Sequence, residues 1–229
     1  MMSYTSKSLE NLKQSLKDRE KLLSFDFLGR SLAYNPYMPR AQVCDFKRSK
    51  EQDIADKMLF CPPFSDEKLS FLLKYDSKAI ALDFTSVYEQ GAPPIEVFDC
   101  LAHLRRYSEK FIIHSDIFIQ PYQLLESVVY GSDGVILEAG LLGKDLGSMY
   151  DFARRLGLLA IVKITSLKEL KAAIFVKAEM IYIAQDFSNL LSFCPNSKII
   201  FCDLPLENFD LNKKSSYGVD MFLVRDEIK

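Results

Sequence analysis

Only two histidines, His103 and His114, occur in 229 residues, and neither has a second histidine at ligand spacing. A structural metal site is therefore not expected. The five cysteines, Cys44, Cys61, Cys100, Cys194 and Cys202, are odd in number and include no Cys-x-x-Cys pair, so they read as reduced, mostly buried thiols. No glycine-rich phosphate fingerprint follows the first strand candidate, which leaves dinucleotide and P-loop readings without support; no cofactor is expected. An excess of either charge is also missing. Twenty-nine basic residues face thirty-one acidic ones, a formal net charge of -2, so no global field draws the chain to nucleic acid or an anionic membrane. No apolar run reaches the roughly 18 residues of a membrane span, and the N-terminus lacks a signal peptide's apolar core. A cytoplasmic location is expected.

What is present is a repeat of strand and helix signals. The stretch from Phe111 to Gln123 reads as an apolar strand, a polar turn and a proline, Pro121, that opens an amphipathic helix running to Tyr130. Gly134–Glu138 is a second apolar run, with a helix over 146–156 closed by Gly157. Leu159–Ile164 is a third, followed by Ser166 as N-cap, Glu169 three residues on in a capping box, and a helix to Phe175. Met180–Ala184 is a fourth. Strands separated by helices at such spacings imply a parallel sheet, because parallel neighbours need a crossover long enough to hold a helix.

Toward the N-terminus, Leu9, Leu12, Leu16, Leu22 and Leu23 predict a surface helix over 6–25, and 26–40 reads as an extended connection. Ala41–Lys47 is taken as strand one, and 48–64 as loop with some helix. Helices are expected over 65–74 and 95–107, and strand two at Ala79–Phe84. Lys198–Cys202 and Met221–Arg225 supply strands seven and eight, with short helices between the last strands. Eight strands without a strong hairpin signal predict an α/β fold, a (βα)8 TIM barrel in one domain over 1–229 with an N-terminal extra helix. An open doubly wound sheet is the weaker competitor. The chain ends too soon after strand eight for another helix, so a second subunit or the N-terminal helix is expected to cover that face.

Ser115-Asp-Ile-Phe-Ile-Gln-Pro-Tyr-Gln123, Tyr130-Gly-Ser-Asp-Gly-Val-Ile-Leu137 and Leu156-Gly-Leu-Leu-Ala-Ile-Val-Lys163 resemble the central motifs of indole-3-glycerol-phosphate synthase, the barrel enzyme of tryptophan biosynthesis. Weaker echoes are Asp45-Phe-Lys47 for the family's Glu-(Ile/Val)-Lys on strand one, Tyr88-Glu-Gln-Gly91, and Gly218-Val-Asp-Met-Phe-Leu-Val224. The resemblance implies a carboxy-lyase that closes an indole ring with loss of carbon dioxide and water. That reaction needs a proton donor and a base. The family takes the acid from a strand-three lysine and the base from a strand-five glutamate; these positions are Ser115 and Lys163 here. The Asn-Asn-Arg after strand six reads Ala184-Gln-Asp186, and the phosphate-binding Ser-Gly after strand seven reads Leu204-Pro205, where proline has no N–H to give. Arg225 stands for a glycine after strand eight.

Lost or strongly reduced synthase activity is therefore expected, as in a pseudoenzyme, with a small anionic or phosphorylated ligand bound at the carboxyl face of the barrel. Lys47 and Lys163 are expected to form a cationic mouth balanced by Asp45, Asp83, Asp116 and Glu138. Candidate catalytic residues are Lys47, Glu138 and Lys163; candidate substrate contacts are Asp45, Asp83, Ser115, Asp116, Gln185 and Arg225. The alternatives are an active synthase using Lys47 and Glu138, and a barrel enzyme of other chemistry with Lys163 as base or Schiff-base amine. A homo-oligomer or a pathway-enzyme partner remains open.

Overall fold

The computed structural model describes residues 4–49, 54–204 and 218–225. Eight parallel strands close into a barrel in chain order: β1 (Asp56–Cys61), β2 (Ala79–Asp83), β3 (Phe111–Ser115), β4 (Gly134–Glu138), β5 (Leu159–Ile164), β6 (Met180–Ile183), β7 (Ile199–Asp203) and β8 (Met221–Arg225). β8 pairs with β1 through the register Met58↔Leu223, which abolishes both sheet edges. The helices are α1 (Ser6–Leu22), α2 (Phe25–Ser31), α3 (Asp66–Lys74), α4 (Asp99–Tyr107), α5 (Pro121–Val129), α6 (Ala139–Leu142), α7 (Leu146–Arg155), α8 (Leu167–Phe175) and α9 (Phe187–Phe193). No helix among the described residues is long and apolar enough to cross a membrane.

The side-chain period of two decides what faces inward. Met58, Phe60, Ala79, Ala81, Ile113, Ile136, Ile161, Met180, Phe201 and Leu223 fill the interior in one packed cluster. The alternate residues, such as Leu59, Leu82, Val135 and Val162, meet the helices. Strands buried on both faces need continuous apolar runs, which is why β2 to β7 stand out in the sequence. Gly134 opens β4 where a Cβ would lie 2.8 Å from the Leu159 carbonyl oxygen, so glycine sets the approach of β4 to β5. Gly157 takes φ +82° after α7, the left-handed conformation expected of a helix-ending glycine.

The first strand is not Ala41–Lys47. That segment contains a 3-10 turn, Val43–Phe46, in which Asp45 accepts the Gln42 backbone N–H at 2.7 Å. Phe46 is fully buried, its ring centroid 5.4 Å from that of Phe111 and 5.9 Å from that of Phe201. Phe111 begins β3, so the turn plugs the amino end of the barrel. The polar residues Gln42, Asp45 and Lys47 belong to this plug and not to a strand's carboxyl end. The true β1 lies inside the stretch read as loop, where flanking charges and Pro62-Pro63 mask the short run Met58–Cys61.

Residues 26–40 also differ from expectation: α2 and a 3-10 turn, Leu32–Tyr34, replace an extended connection. Leu12 and Leu16 bury α1 against the wall as predicted, while Leu22 points to solvent. Arg19 of α1 reaches Glu126 of α5 at 2.8 Å in a buried ion pair. Thr5 caps α1 by accepting the Ser8 N–H at 3.0 Å. The start of α1 thereby lies at the carboxyl mouth, with Tyr4 against the end of β4. Pro205 and the residues after β8 lie outside the described residues, and with them the expectation about a final helix.

Candidate functional site

Continuing each strand's inward parity by one step gives the ring at the carboxyl mouth: Pro62, Asp83, Ser115, Glu138, Lys163, Ala184, Asp203 and Arg225. Seven of these residues come from the ends of different strands or the residue just beyond, the place where barrel loops build active sites. A cavity of roughly 360 Å³ opens here, lined by Glu138, Lys163, Tyr182, Ala184, Gln185, Asp203 and Arg225 from the strand ends and by Tyr4, Leu9, Leu141 and Glu169 from the helices around them.

Two hydrogen-bonded groups face this cavity. In the first, Glu138 Oε1 accepts from the Lys163 ammonium, its register partner on β5, and from the Tyr4 hydroxyl at 2.7 Å. Burial pushes the Tyr4 phenol well above its ordinary range, and the carboxylates of Glu138, Asp83 and Asp116 push it further. In the second, Tyr182 donates its hydroxyl to Asp203 Oδ2 at 2.6 Å, while Arg225 gives Nε to Asp203 Oδ1 at 3.0 Å and Nη2 to the Tyr182 oxygen at 3.1 Å. The guanidinium sits 4.6 Å from the Phe60 ring centroid. Burial, then Asp203, raises the Tyr182 phenol far above its ordinary range. Neither tyrosine is a ready acid.

Glu169 closes the rim at the start of α8. Its carboxylate accepts the Thr165 N–H at 2.6 Å and the Thr165 hydroxyl at 3.1 Å, while Ser166 caps the Glu169 N–H. The reciprocal bond thus goes to Thr165, one residue before the cap. A Cβ on Gly140 would lie 2.8 Å from Glu169 Oε1, so that glycine leaves room for the carboxylate.

The predicted residues divide between the two ends of the barrel. Glu138, Lys163, Gln185 and Arg225 line the cavity. Asp83 and Ser115 belong to the ring, joined by a 3.2 Å bond from the Ser115 hydroxyl. Asp116 is buried behind the ring, held by the Tyr88 hydroxyl at 3.0 Å and the Ile117 N–H at 2.7 Å. Burial raises its carboxyl to about 6. Lys47 and Asp45 sit at the plugged amino end, across the barrel from Glu138 and Lys163. The expected cationic mouth is not formed: its Lys47 is absent, and Lys163 is paired. Sequence reading passed over Tyr4, Glu169, Tyr182 and Asp203. The inward parity of β6 and β7 was a usable signal for the last two; nothing local marked Tyr4.

A family model described as indole-3-glycerol phosphate synthase matches residues 96–193. A relative of that name from Campylobacter jejuni is 36% identical over 239 residues, covering 95% of this chain and 92% of its own. The chain belongs to the indole-3-glycerol phosphate synthase family. A synthase from Campylobacter hominis is 31% identical, with 94% and 90% covered. Among solved structures, a mutant tryptophan synthase alpha-subunit from Pyrococcus furiosus superposes with a TM-score of 0.57 at 12% identity, covering 75% of this chain and 88% of its own. That likeness is one of fold. For this synthase-family barrel, β1 offers the mouth no family-type Glu-x-Lys: its inward residues are Met58 and Phe60, followed by Pro62.

Proposed function

We propose that this member of the synthase family has lost the ring-closing reaction and binds a small molecule in its mouth cavity. The observation that carries this reading is the identity of the inward residues on β1, β3 and β5. Met58, Phe60 and Pro62 leave no inward-facing lysine on β1, Ser115 replaces the lysine that the resemblance implies on β3, and Lys163 replaces the glutamate on β5. Protonating a carbonyl and a departing hydroxyl needs a donor at the reacting atoms. The ammonium lining this cavity on the strands is committed to Glu138, and a carboxylate-bound ammonium is a poor nucleophile, which leaves the Schiff-base reading unsupported. The cavity persists at the size of a ligand pocket, which typically spans about 300–1,000 Å³.

The test is incubation of the purified protein with the carboxyphenylamino-deoxyribulose phosphate, following the indole product by fluorescence. Product at the buffer blank is expected; turnover approaching about 10 per second, the median for enzymes, would sink the reading. An active synthase is the second reading, favoured by 36% identity over 95% of the chain. It assigns the acid and base work to Lys163 and Glu138, and turnover abolished in Lys163→Ala would establish it.

A further inference from the structure

Every cation that lines the mouth among the described residues is already answered from within the chain. Lys163 is tied to Glu138, and Arg225 to Asp203 and Tyr182. Carboxylates outnumber these cations. Asp83 is bonded to the Ser115 hydroxyl and the Thr85 N–H, and Glu169 to the N–H and hydroxyl of Thr165, so neither carboxylate is hydrogen-bonded to a cation. Asp83 ends β2, which stands between β8, bearing Arg225, and β4, bearing Glu138, around the closed barrel. Burial first, and then the carboxylates of Glu138, Asp83 and Asp116, push the Tyr4 phenol upward, in keeping with this excess of carboxylates.

A phosphate dianion entering this cavity meets like charge, and both cations it could reach are already shared with carboxylates. An ammonium meets two carboxylates, Asp83 and Glu169, whose hydrogen bonds come from neutral donors. The remaining walls suit its carrier: Leu9, Leu141 and Ala184 are apolar, and Tyr4 and Tyr182 present aromatic rings. A cation is attracted to such ring faces, and more strongly where water is thinned out.

We propose that the mouth cavity takes a small organic ammonium, a protonated amine on a compact apolar body, and turns away phosphorylated compounds. The proposal rests on the reading that the mouth binds a ligand without synthase chemistry. Calorimetric titration at pH 7 with phenethylamine, 3-phenylpropionate and phenyl phosphate tests it, because the three share a ring and differ in the charged end. Phenethylamine is expected to bind saturably and at least tenfold tighter than either anion. Asp83→Asn is expected to weaken it at least fivefold; should that variant fail to fold, Glu169→Gln, which keeps an oxygen for Thr165, serves the same purpose. Absence of phenethylamine binding overturns the proposal, as does equal or tighter binding of either anion, or unchanged affinity in the folded variants. An indole product from the synthase substrate would instead remove the underlying reading, whatever the amine does.

Discussion

Glu138 receives donors from residues 134 and 25 positions away, Tyr4 and Lys163, and is the atom-level junction between the N-terminal segment and the barrel. Both partners of the ion pair are about four-fifths buried, with side-chain exposures of 20% and 17%. Lys163→Ala should therefore cost about 1–3 kcal/mol, the penalty of leaving a largely buried carboxylate short of a partner. The double variant Glu138→Gln/Lys163→Met should recover part of that loss in urea unfolding. Asp116 supplies a pH-dependent prediction. Its folded carboxyl is raised to about 6 from an ordinary 3.8, chiefly by burial, so its contribution is fully present below about 3.8 and is lost as pH rises through 6. Asp116→Asn, which mimics the protonated acid, should gain stability relative to the parent between pH 4 and pH 7 by roughly 2 kcal/mol. Chemical denaturation of both proteins at the two pH values checks this; a constant difference would contradict it.

The plug at Val43–Phe46 illustrates how an element can mislead when its partner surface is unseen. Its short mixed run reads as a strand, with polar residues where a barrel's active-site face would need them. Yet a 3-10 turn capped by Asp45 buries Phe46 just as well, and β1 was free to form later in the chain. The two residues at the end of this plug should respond in opposite ways. Phe46→Ala removes a fully buried ring and should cost about 3–5 kcal/mol. Lys47→Ala alters an exposed side chain and should change stability by less than about 0.5 kcal/mol, with no effect on ligand binding at the mouth. Thermal unfolding of the pair, with titration of the Lys47 variant, measures both. A loss of mouth binding in Lys47→Ala would mean that the plug and the mouth communicate. The other elements were far more legible. β3 to β6 and their helices follow from apolar runs, Pro121, Gly157 and the Ser166 cap, because burial on both faces forces a pattern that local sequence displays.

At the scale of the molecule, α1 is bound to the barrel wall by Leu12, Leu16 and the Arg19–Glu126 pair, and this is what holds Tyr4 over the mouth. Arg19→Ala would leave the buried Glu126 carboxyl without its cationic donor, at an expected cost of about 1–3 kcal/mol near pH 7. Burial already raises the Glu126 carboxyl to about 7 from 4.5 despite Arg19 beside it. Its contribution is fully present below about 4.5 and lost as pH rises through 7, so the cost of the substitution should shrink toward pH 4.5. Urea unfolding across that range reads the sign directly. The barrel, its seven later strands and the descent from a synthase ancestor were determined by sequence alone, since apolar periodicity and motif order survive in one dimension. Which charges share the mouth was decided only by the tertiary structure. Strand parity and closure bring together ends that lie far apart in the chain, pair Lys163 with Glu138 and Arg225 with Asp203, carry Tyr4 to the rim, and send Lys47 to the opposite end. Electrostatic character depends on distances between such residues, and the linear order does not contain them.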